Sequence, residues 1–599
     1  MPVSTRQFSR WLAGTVVCAG LLWANAGQAF DARLSAPGAS EDLIETLQSS
    51  SLLIDAAEDG VRNPLDIVAA ARADYRRLLG LLYNAGYYGP EIRIRVNGRE
   101  AASLPPFARI DTVTSAQIEV VTGPRFQFAK ARIAPLAPQT EVPAGFAPGQ
   151  PAEAETIRAA AREGITGWRA IGHAKARIAD QSLVANHANA TLDADLKIAP
   201  GPELRFGDLT LPGESAVTER RLRKIIALPT GERFDPEALE TIAIRLRRTG
   251  VFRSVNIREA EAINPDQSLD IAVDVKDAKP RRIGFGAELQ SRDGISASAF
   301  WMHRNLLGGA ERLRIEGEVS GIQAQSGGTD YRFSTEFTRP ATLGADTDLR
   351  LALTAERQND PLFFQEKLSF DIGFTRFLSQ TRKASFGLHY QTNFVRDSFG
   401  TRDFHILGLP FGYTIDRRDD PLDARDGYYI DATVMPYLGG GTAETGMSMT
   451  ADARLYRPLG ESLTAAARLQ VGTVLGPSLA TTPPDMLFLS GGGGTVRGQP
   501  FQSNFITTGG AQSGGLSFLG ISGELRLRAW ESISTVVFYD AGYIGETSSF
   551  GGNGSWHSGA GIGLRYHTGI GPIRVDLAGP VSGSNSDGVQ LYIGIGQAF

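Results

Sequence analysis

The chain has 599 residues, too many for one ordinary hydrophobic core, so several domains are expected. Its 60 basic and 65 acidic residues give a formal net charge of −5, which argues against nucleic-acid binding. The 69 glycines exceed the usual share of about 7% and are concentrated after residue 280.

Residues 1–29 read as a secretory signal peptide. Arg6 and Arg10 precede a short apolar run at residues 11–23, and small residues follow it. The single cysteine, Cys18, lies inside this segment, so the mature chain is expected to contain no disulfide. Since no later apolar run approaches about twenty residues, the sequence predicts no membrane-spanning helix.

The first half of the chain repeats one pattern three times. Each repeat places a polar residue before a proline and then runs into helix-forming sequence, and proline suits the first helical position. Each helix is predicted to end near a glycine that adopts the left-handed cap conformation, with an alternating strand after it. The three starts are Asn63-Pro64, Gln150-Pro151 and Asp235-Pro236, and the three glycines are Gly86, Gly172 and Gly250. This order predicts three modules that mix helices with a small sheet, at residues 30–123, 124–203 and 204–278.

Two further strands in this half open with a Gly-Pro pair, within residues 122–133 and 200–211. With these features the modules resemble POTRA domains, the polypeptide-transport-associated repeats of outer-membrane assembly proteins. The resemblance implies two helices against a three-stranded sheet in each module. It also implies an exposed sheet edge that receives client or partner strands, because unpaired backbone groups template another strand. The sequence leaves open which edge is used.

Residues 279–599 alternate apolar and polar side chains with a period of two, as in residues 349–355 and 463–471. The candidate strands run about ten residues and number about sixteen, an even number in the range of bacterial outer-membrane barrels. The pattern therefore predicts a transmembrane antiparallel β-barrel in the outer membrane, with the N-terminal modules in the periplasm. A soluble β-sandwich is the alternative that alternation alone does not exclude. The C-terminal aromatic, Phe599, follows an alternating strand and is expected in the interfacial aromatic girdle.

The segment 491–503, GGGGTVRGQPFQS, interrupts this alternation. Its glycines make it a poor strand and exclude a helix interior. VRGQPF is similar to the VRG-aromatic motif of the loop that folds into the lumen in the BamA/TamA superfamily of outer-membrane assembly proteins. The stretch 416–428 and the last three predicted strands match the same superfamily, and three modules point to its TamA branch. The lumen-loop motif residues are Gly494, Val496, Arg497, Gly498 and Phe501.

Arg497 is expected to point into the lumen, where a guanidinium needs carboxylate partners. Asp540 is the best candidate and Glu524 the second, and a solvated loop arginine is the alternative. Gln499 stands where the superfamily usually has an aromatic residue, so Phe501 is the candidate to supply that packing instead.

The resemblance implies an outer-membrane assembly factor that assists insertion or translocation of β-barrel clients such as autotransporters. Its implied partners are outer-membrane lipid, unfolded β-barrel clients and a TamB-like, inner-membrane-anchored protein that contacts the first module. It also implies a lateral seam between the first and last barrel strands, where glycines weaken pairing or fit a crowded wall. The seam positions are Ile283, Phe285 and Ala287 on the first strand, and Leu591, Ile593, Gly594 and Ile595 on the last.

Two other functions remain open: a polypeptide-secreting pore of the two-partner secretion type and a general BamA-like insertase. The sequence predicts no enzymatic activity, no catalytic residues, no cofactor and no metal. The acidic stretch 416–426 lacks the alternating ligands and closing glutamate of a calcium loop, so a polar turn with internal Arg–Asp pairs is expected. A lipase needs a serine–histidine pair, and no barrel-half histidine stands in a recognisable catalytic context. These histidines are His303, His389, His405, His557 and His567.

Overall fold

Three small sheets precede one large antiparallel sheet along the chain. The computed structural model describes residues 30–105, 112–290, 294–322, 328–530, 532–569, 571–583 and 588–599, so the predicted signal peptide lies outside the described residues. Among the described helices, none is both long enough and apolar enough to cross a membrane.

The first sheet has the strand order β1-β4-β2-β3, with β1 parallel to β4. Its strands are β1 Asp31–Ser35, β2 Glu91–Val96, β3 Arg99–Glu100 and β4 Ser115–Val121, and its helices are α1 Glu41–Ser49, α2 Leu52–Glu58 and α3 Pro64–Asn84. The predicted cap is present, since the Asn63 side chain accepts a hydrogen bond of 3.2 Å from the Leu65 amide. Gly86 adopts a φ of +87° after α3, as a left-handed helix end requires.

The second sheet has the order β5-β7-β6 and a single helix beside it. Its elements are β5 Gln127–Ala134, α4 Ala154–Ala170, β6 Arg177–Asn186 and β7 Thr191–Ala199. Residues 124–203, all of which the structure describes, thus contain one helix where the resemblance implies two. The segment 135–153 carries five prolines, which have no amide to donate to a helix. Helix α4 begins at Ala154 and not at the predicted Pro151, because Pro151 makes an isolated bridge with Gln127 of β5.

The third sheet has the order β8-β10-β9 and two helices, as the resemblance implies. Its elements are β8 Arg205–Thr210, α5 Glu219–Ile226, α6 Pro236–Arg248, β9 Phe252–Glu259 and β10 Ser268–Asp277. Gly250 has a φ of +68° after α6. The predicted order of helix, glycine and strand therefore recurs here.

The large sheet contains 17 strand segments. They are β11 Arg281–Gln290, β12 Gly294–Arg304, β13 Arg312–Ile322, β14 Asp330–Gly344, β15 Thr347–Asn359, β16 Phe363–Ser379, β17 Arg382–Asp397, β18 Gly400–Gly408, β19 Phe411–Asp416, β20 Gly427–Gly441, β21 Gly446–Pro458, β22 Leu463–Leu475, β25 Ser517–Arg528, β26 Ile533–Gly545, β27 Gly554–Tyr566, β28 Ile573–Ser582 and β29 Gln590–Ile595, while β23 Ile506–Thr508 and β24 Ala511–Ser513 form a separate hairpin. β18 and β19 both pair with β17 and β20, so they are halves of one strand. The break includes Pro410, which lacks an amide to donate to the ladder. The prediction of about sixteen antiparallel barrel strands is confirmed.

The two faces of the barrel wall differ in chemistry. Along β25, buried Glu524 and Arg526 alternate with exposed Leu525 and Leu527. Many large apolar side chains are exposed on the outer face, as a membrane-facing wall requires, while the inner face carries charges.

Helices α5 and α6 contact the barrel turn that joins β14 to β15. Arg245 donates to both carboxylate oxygens of Asp346, at 2.8 and 2.6 Å. Arg221 is buried and donates to the carbonyl oxygens of Gly309 and Ala341, at 3.2 and 3.4 Å. The end of the barrel at which these contacts lie is called the module end below.

Candidate functional site in the barrel lumen

The segment that joins β22 to β25, residues 476–516, folds into the barrel lumen. It contains two helical turns, Leu479–Thr481 and Pro484–Met486, and the β23–β24 hairpin. Val496, Arg497 and Gln499 are at most 2% exposed. A connection of this length is uncommon unless it has a function of its own. The segment is called the lumen loop below.

Arg497 is bound by carboxylates from two neighbouring strands. Its Nε donates to Asp540 Oδ2 at 2.7 Å and its Nη2 to Asp540 Oδ1 at 3.0 Å, which is the bidentate geometry that a guanidinium favours. Its Nη1 donates to Glu524 Oε1 at 2.6 Å. The structure thus places both sequence-predicted partners against Arg497, on β26 and β25.

Three further charged side chains complete the cluster, and sequence reasoning did not select them. Asp576 on β28 accepts from Arg497 Nη1 at 3.5 Å and from Arg565. Arg526 donates to Glu524 Oε2 at 2.8 Å. Three guanidiniums therefore face three carboxylates, and Arg574 on β28 lies near them as a fourth cation whose Nε and Nη1 are buried without a hydrogen-bond partner in the described part of the chain. Alternation along each strand indicates which residues face inward, but it does not indicate which strands surround the loop.

An aromatic ring closes the remaining side of Arg497. The Arg497 guanidinium carbon lies 3.6 Å from the centre of the Phe538 ring, on β26. A desolvated cation over an aromatic face is attracted by about 2 kcal/mol. The arginine is therefore held by shape as well as by charge, and lysine would not reproduce this arrangement.

Glycines let the loop backbone lie directly on the barrel wall. Gly498 has a φ of +91°, and a Cβ there would clash with the backbone of Gly579 on β28. On the wall, a Cβ at Gly559 of β27 would clash with the Arg497 carbonyl. Both surfaces need glycine because the two backbones approach closely.

Gln499 fills the position that the superfamily usually gives to an aromatic residue. Its Nε2 donates to the carbonyl oxygens of Ser558 and Ser582, both at 2.9 Å, at the end of the β27–β28 pairing. Phe501 is 56% exposed, so the expectation that it supplies the packing is wrong. The Gln499 side chain is accommodated in place of the expected aromatic residue because two strand carbonyl oxygens lie within hydrogen-bonding distance of its Nε2.

The lumen loop also contacts the last barrel strand through Tyr592 of β29. The Tyr592 hydroxyl accepts from the Gly498 amide at 3.1 Å and donates to the Gln499 carbonyl at 3.3 Å. Gly494, by contrast, is exposed, and its carbonyl accepts from Arg468 on β22 at 3.2 Å. The loop tip is therefore fastened to the strand that forms one side of the predicted seam.

The predicted seam lies between β11 and β29. Within the residues that the structure describes, no pairing joins these two strands, while β11 pairs with β12 and β29 with β28. The outward side chains on both strands are exposed, at 64% and 84% for Ile283 and Phe285 and at 52% and 67% for Leu591 and Ile593.

The other three seam positions are located by their partners in the strand ladders. Ala287 pairs with Ala297 in the β11–β12 ladder. Gly594 pairs with Arg574, and Ile595 with Ile573, in the β28–β29 ladder. All seven seam positions therefore lie on the two strands predicted to carry them.

Phe599 lies inside the barrel, so its predicted place in the aromatic girdle is wrong. Its side chain is 7% exposed and packs with Ala424, Tyr456 and Ala466. Its carbonyl oxygen accepts from Arg526 Nη2 at 3.1 Å. Gly596, with a φ of +93°, follows β29, and that backbone conformation ends the strand before Phe599.

The acidic stretch 416–426 forms a polar turn with internal pairing. Arg418 donates to both carboxylate oxygens of Asp416, at 2.9 and 2.7 Å, and the Asp419 side chain accepts from the Arg425 amide at 3.0 Å. Among the described residues, no group of histidine, cysteine, aspartate and glutamate is arranged to hold a metal ion.

One histidine lies in a Ser–His–Asp arrangement that its sequence context did not reveal. His567 Nε2 is 2.6 Å from Ser534 Oγ, and His567 Nδ1 is 3.0 Å from Asp423 Oδ2. The adjoining cavity measures about 20 Å³, which is room for about one water. Asp423 also accepts from Gln597 at 2.8 Å. These contacts connect the acidic turn to the segment after β29 and form a structural network.

Two sequence families match parts of this chain. Residues 305–599 match the Omp85 superfamily domain, and residues 204–277 match the POTRA family, described as a surface antigen variable number repeat. Among solved structures, BamA from Haemophilus ducreyi lacking POTRA domains 1–3 is similar, with a TM-score of 0.60 and 17% identity over 78% of this chain and 98% of that one. CdiB from Acinetobacter baumannii has a TM-score of 0.49 and 13% identity over 78% of this chain and 89% of that one. At these identities the BamA likeness concerns the fold.

Proposed function

We propose that this protein, which belongs to the Omp85 superfamily through its residues 305–599, acts in the outer membrane as an assembly factor for β-barrel clients. Its modules lie in the periplasm and its barrel helps to insert or translocate unfolded barrel proteins such as autotransporters. It acts by strand pairing and by perturbing nearby lipid, without hydrolysis.

The observation that carries the proposal is the unpaired boundary between β11 and β29 within the described chain. β29 has six residues, fewer than its partner β28 with ten, so its ladder is short. Unpaired amides and carbonyls at a strand edge are a template for another strand. A client strand entering this seam gains backbone hydrogen bonds while its apolar side chains reach lipid.

The seam is tested by closing it covalently. One cysteine replaces Phe285 on β11 and another replaces Ile593 on β29, and the pair is joined by oxidation or by a short thiol cross-linker. Client insertion is expected to stop and to return on release of the link, while the barrel keeps the gel mobility of its folded form.

The matched control joins two strands that already pair. Val575 and Ile593 are opposite each other in the β28–β29 ladder, so Val575→Cys with Ile593→Cys adds a link without closing the seam. Normal client insertion by the oxidised Phe285→Cys/Ile593→Cys protein would contradict the seam mechanism.

A second step of the proposed function is client pairing at a module edge. β6 is ten residues long and pairs with β7 on one side, and among the described residues no strand covers its other side. Leu183 and Val184 on β6 are 42% and 58% exposed. A long exposed edge with apolar side chains favours strand addition. Val184→Pro, which removes an amide, is expected to weaken cross-linking of unfolded clients to this edge.

Assignment to the TamA branch adds a TamB-like partner at the first module. A groove of about 610 Å³ lies beside the edge strand β1 and is bordered by α1 and α2. Three acidic side chains line this groove against one basic side chain, Arg33, which suits an extended segment with basic residues; the acidic side chains are Glu45, Asp55 and Glu58. Glu45→Lys with Asp55→Lys is expected to abolish co-purification of the partner, whereas Glu163→Lys on α4 is expected to leave it intact.

Client range distinguishes the TamA-like function from a general insertase. Depletion of the protein followed by outer-membrane proteomics is expected to lower autotransporters selectively. Loss of nearly all barrel proteins would instead assign the general BamA-like role.

A further inference from the structure

The lumen loop meets the barrel wall at a second polar site, away from the Arg497 cluster. Asp485 lies in the helical turn Pro484–Met486 of the loop. Its Oδ2 is 3.2 Å from Lys367 Nζ on β16, and its Oδ1 accepts from Asn393 Nδ2 on β17 at 3.0 Å. Gln391 Nε2 donates to the same carboxylate at 3.5 Å.

The wall side of this site is built and largely buried. Asn393 and Gln391 are 1% and 4% exposed, and the Lys367 and Asp485 side chains are 16% and 15% exposed. Lys367 also contacts Glu356 Oε2 on β15 at 3.1 Å, so one ammonium is shared by two carboxylates. These carboxylates are largely buried and need such compensation, because an unpaired buried charge is strongly unfavourable.

The two polar sites use different parts of the wall. Arg497 is held by β25, β26 and β28, whereas Asp485 is held by β16 and β17, which lie several strands away in the sheet order. A cavity of about 490 Å³ lies between loop and wall, and both Asp485 and Lys367 line it.

We propose that Asp485 is a positioning residue that fixes the lumen loop to the β16–β17 wall, so that the loop is braced across the lumen from two sides. The first half of the loop is held at Asp485, beside the contact of Arg402 with the Ala480 carbonyl, and the second half is held at Arg497. With both halves held, the loop obstructs the lumen. Loss of the Asp485 contact loosens the turn Pro484–Met486, while the bridges at Phe488 and Ser490 and the Arg497 motif stay in place.

Because the Lys367 ammonium is shared by two carboxylates, variants at Asp485 and Lys367 are expected to displace the loop to different extents. Asp485→Asn removes one charge and leaves Lys367 paired with Glu356. Lys367→Met leaves Asp485 and Glu356 as two close carboxylates without a cation, so it is expected to displace the loop more strongly. Adding Asp485→Asn to Lys367→Met relieves that repulsion and is expected to restore part of the wild-type behaviour.

The test measures loop position in the full-length protein. Protease is added to intact cells and to purified protein, and cleavage sites between residues 476 and 490 are located by mass spectrometry. Ion current is recorded in planar bilayers. Asp485→Asn is expected to raise the cleavage rate and the ion current about tenfold, as loss of a charged hydrogen bond implies. Lys367→Met is expected to raise both quantities further.

The matched control is Glu366→Gln, next to Lys367 on β16. Its side chain is 55% exposed on the outer face, so cleavage and current are expected to match the wild type. Retention of the folded gel mobility shows that each variant barrel is intact, and Lys367→Met tests the same contact from the wall if the loop variant does not fold. Wild-type cleavage and current in both single variants would overturn the proposal and assign loop position to the neighbouring apolar side chains. Additive effects in the double variant would overturn it as well.

Discussion

Arg497 donates both its backbone amide and its Nε to a single oxygen of Asp540, at 3.0 and 2.7 Å. One carboxylate thereby fixes the loop backbone and the side chain together. Asp540 of β26 therefore fixes the backbone and the side chain of the loop at the same point.

Arg497→Ala is expected to leave the buried Asp540 carboxylate without its guanidinium partner, while Glu524 keeps Arg526 and Asp576 keeps Arg565, so docking of the loop is weakened by about 3 to 5 kcal/mol. Arg497→Lys keeps the charge but loses the bidentate geometry and the contact with Phe538, and its effect is expected to be intermediate. Protease cleavage within residues 491–503 measures both effects. Arg457→Ala is the control, because that side chain is 72% exposed. Undiminished protease resistance of Arg497→Ala would refute the tethering role.

Gln499→Glu is expected to be more harmful than Gln499→Ala. Alanine loses two hydrogen bonds, whereas glutamate places an anion against the carbonyls of Ser558 and Ser582. Each loss is expected to weaken loop docking by about 1 to 3 kcal/mol, since buried polar groups are left unsatisfied. Phe501→Ala serves as the comparison and is expected to stay within about 0.5 kcal/mol, because Phe501 is exposed. Equal denaturant midpoints for the Glu and Ala variants would contradict the assigned contacts.

Tyr592→Phe removes only the hydroxyl that connects the loop to β29. The Gly498 amide loses its partner, so both the loop and the seam strand are expected to open more often. Hydrogen exchange of residues 590–595 and 496–500 is expected to accelerate together in this variant. Tyr566→Phe is the control, since Tyr566 is 54% exposed on the outer face of β27, the same face as Leu564. Faster exchange in the loop alone would show that the two elements are not coupled.

The Arg245–Asp346 contact at the module end predicts a pH dependence. Hydrogen bonds from Arg245 lower the pKa of Asp346 below its ordinary value near 3.8. A lowered pKa means that the stabilisation is fully present above that ordinary value and is lost as pH falls through the folded value. It is expected to reach about 1 kcal/mol, because the Asp346 side chain is one third exposed.

Amide protection of α6, corrected for the intrinsic rate, measures this contribution. Asp346→Asn is expected to lower protection at pH 6 and to match the wild type at the most acidic pH tested. Glu219→Gln removes an exposed pair on α5 and is expected to leave α6 protection unchanged at both values. A constant difference between wild type and Asp346→Asn down to the lowest pH would be inconsistent with the lowered pKa.

Several features were predictable because they depend on local chain geometry. Alternation with a period of two predicts the barrel strands, since successive side chains of a strand point to opposite faces. The same rule places Glu524 inside and Leu525 outside. Proline and glycine positions predict the helix starts and ends in the modules, except where a proline-rich stretch replaces a helix before α4.

Other features were not predictable, because they depend on which distant strands surround the loop. Asp576 is 79 residues from Arg497, and Tyr592 is 94 residues from Gly498. The inward position of Phe599 depends on space left by Ala424 of the acidic turn and Ala466 of β22, which are both more than 130 residues away along the chain.

The sequence alone therefore determined the alternating strands, the modules and the presence of a charged, glycine-rich loop among barrel strands. Local backbone preferences and the burial of alternate side chains are sufficient for these. Only the tertiary structure decided that Gln499 packs where an aromatic was expected, that Asp485 gives the loop a second contact, and that β11 and β29 carry no mutual pairing in the described chain. Closure of the sheet brings together residues that are far apart along the chain, and no local pattern encodes which of them will meet.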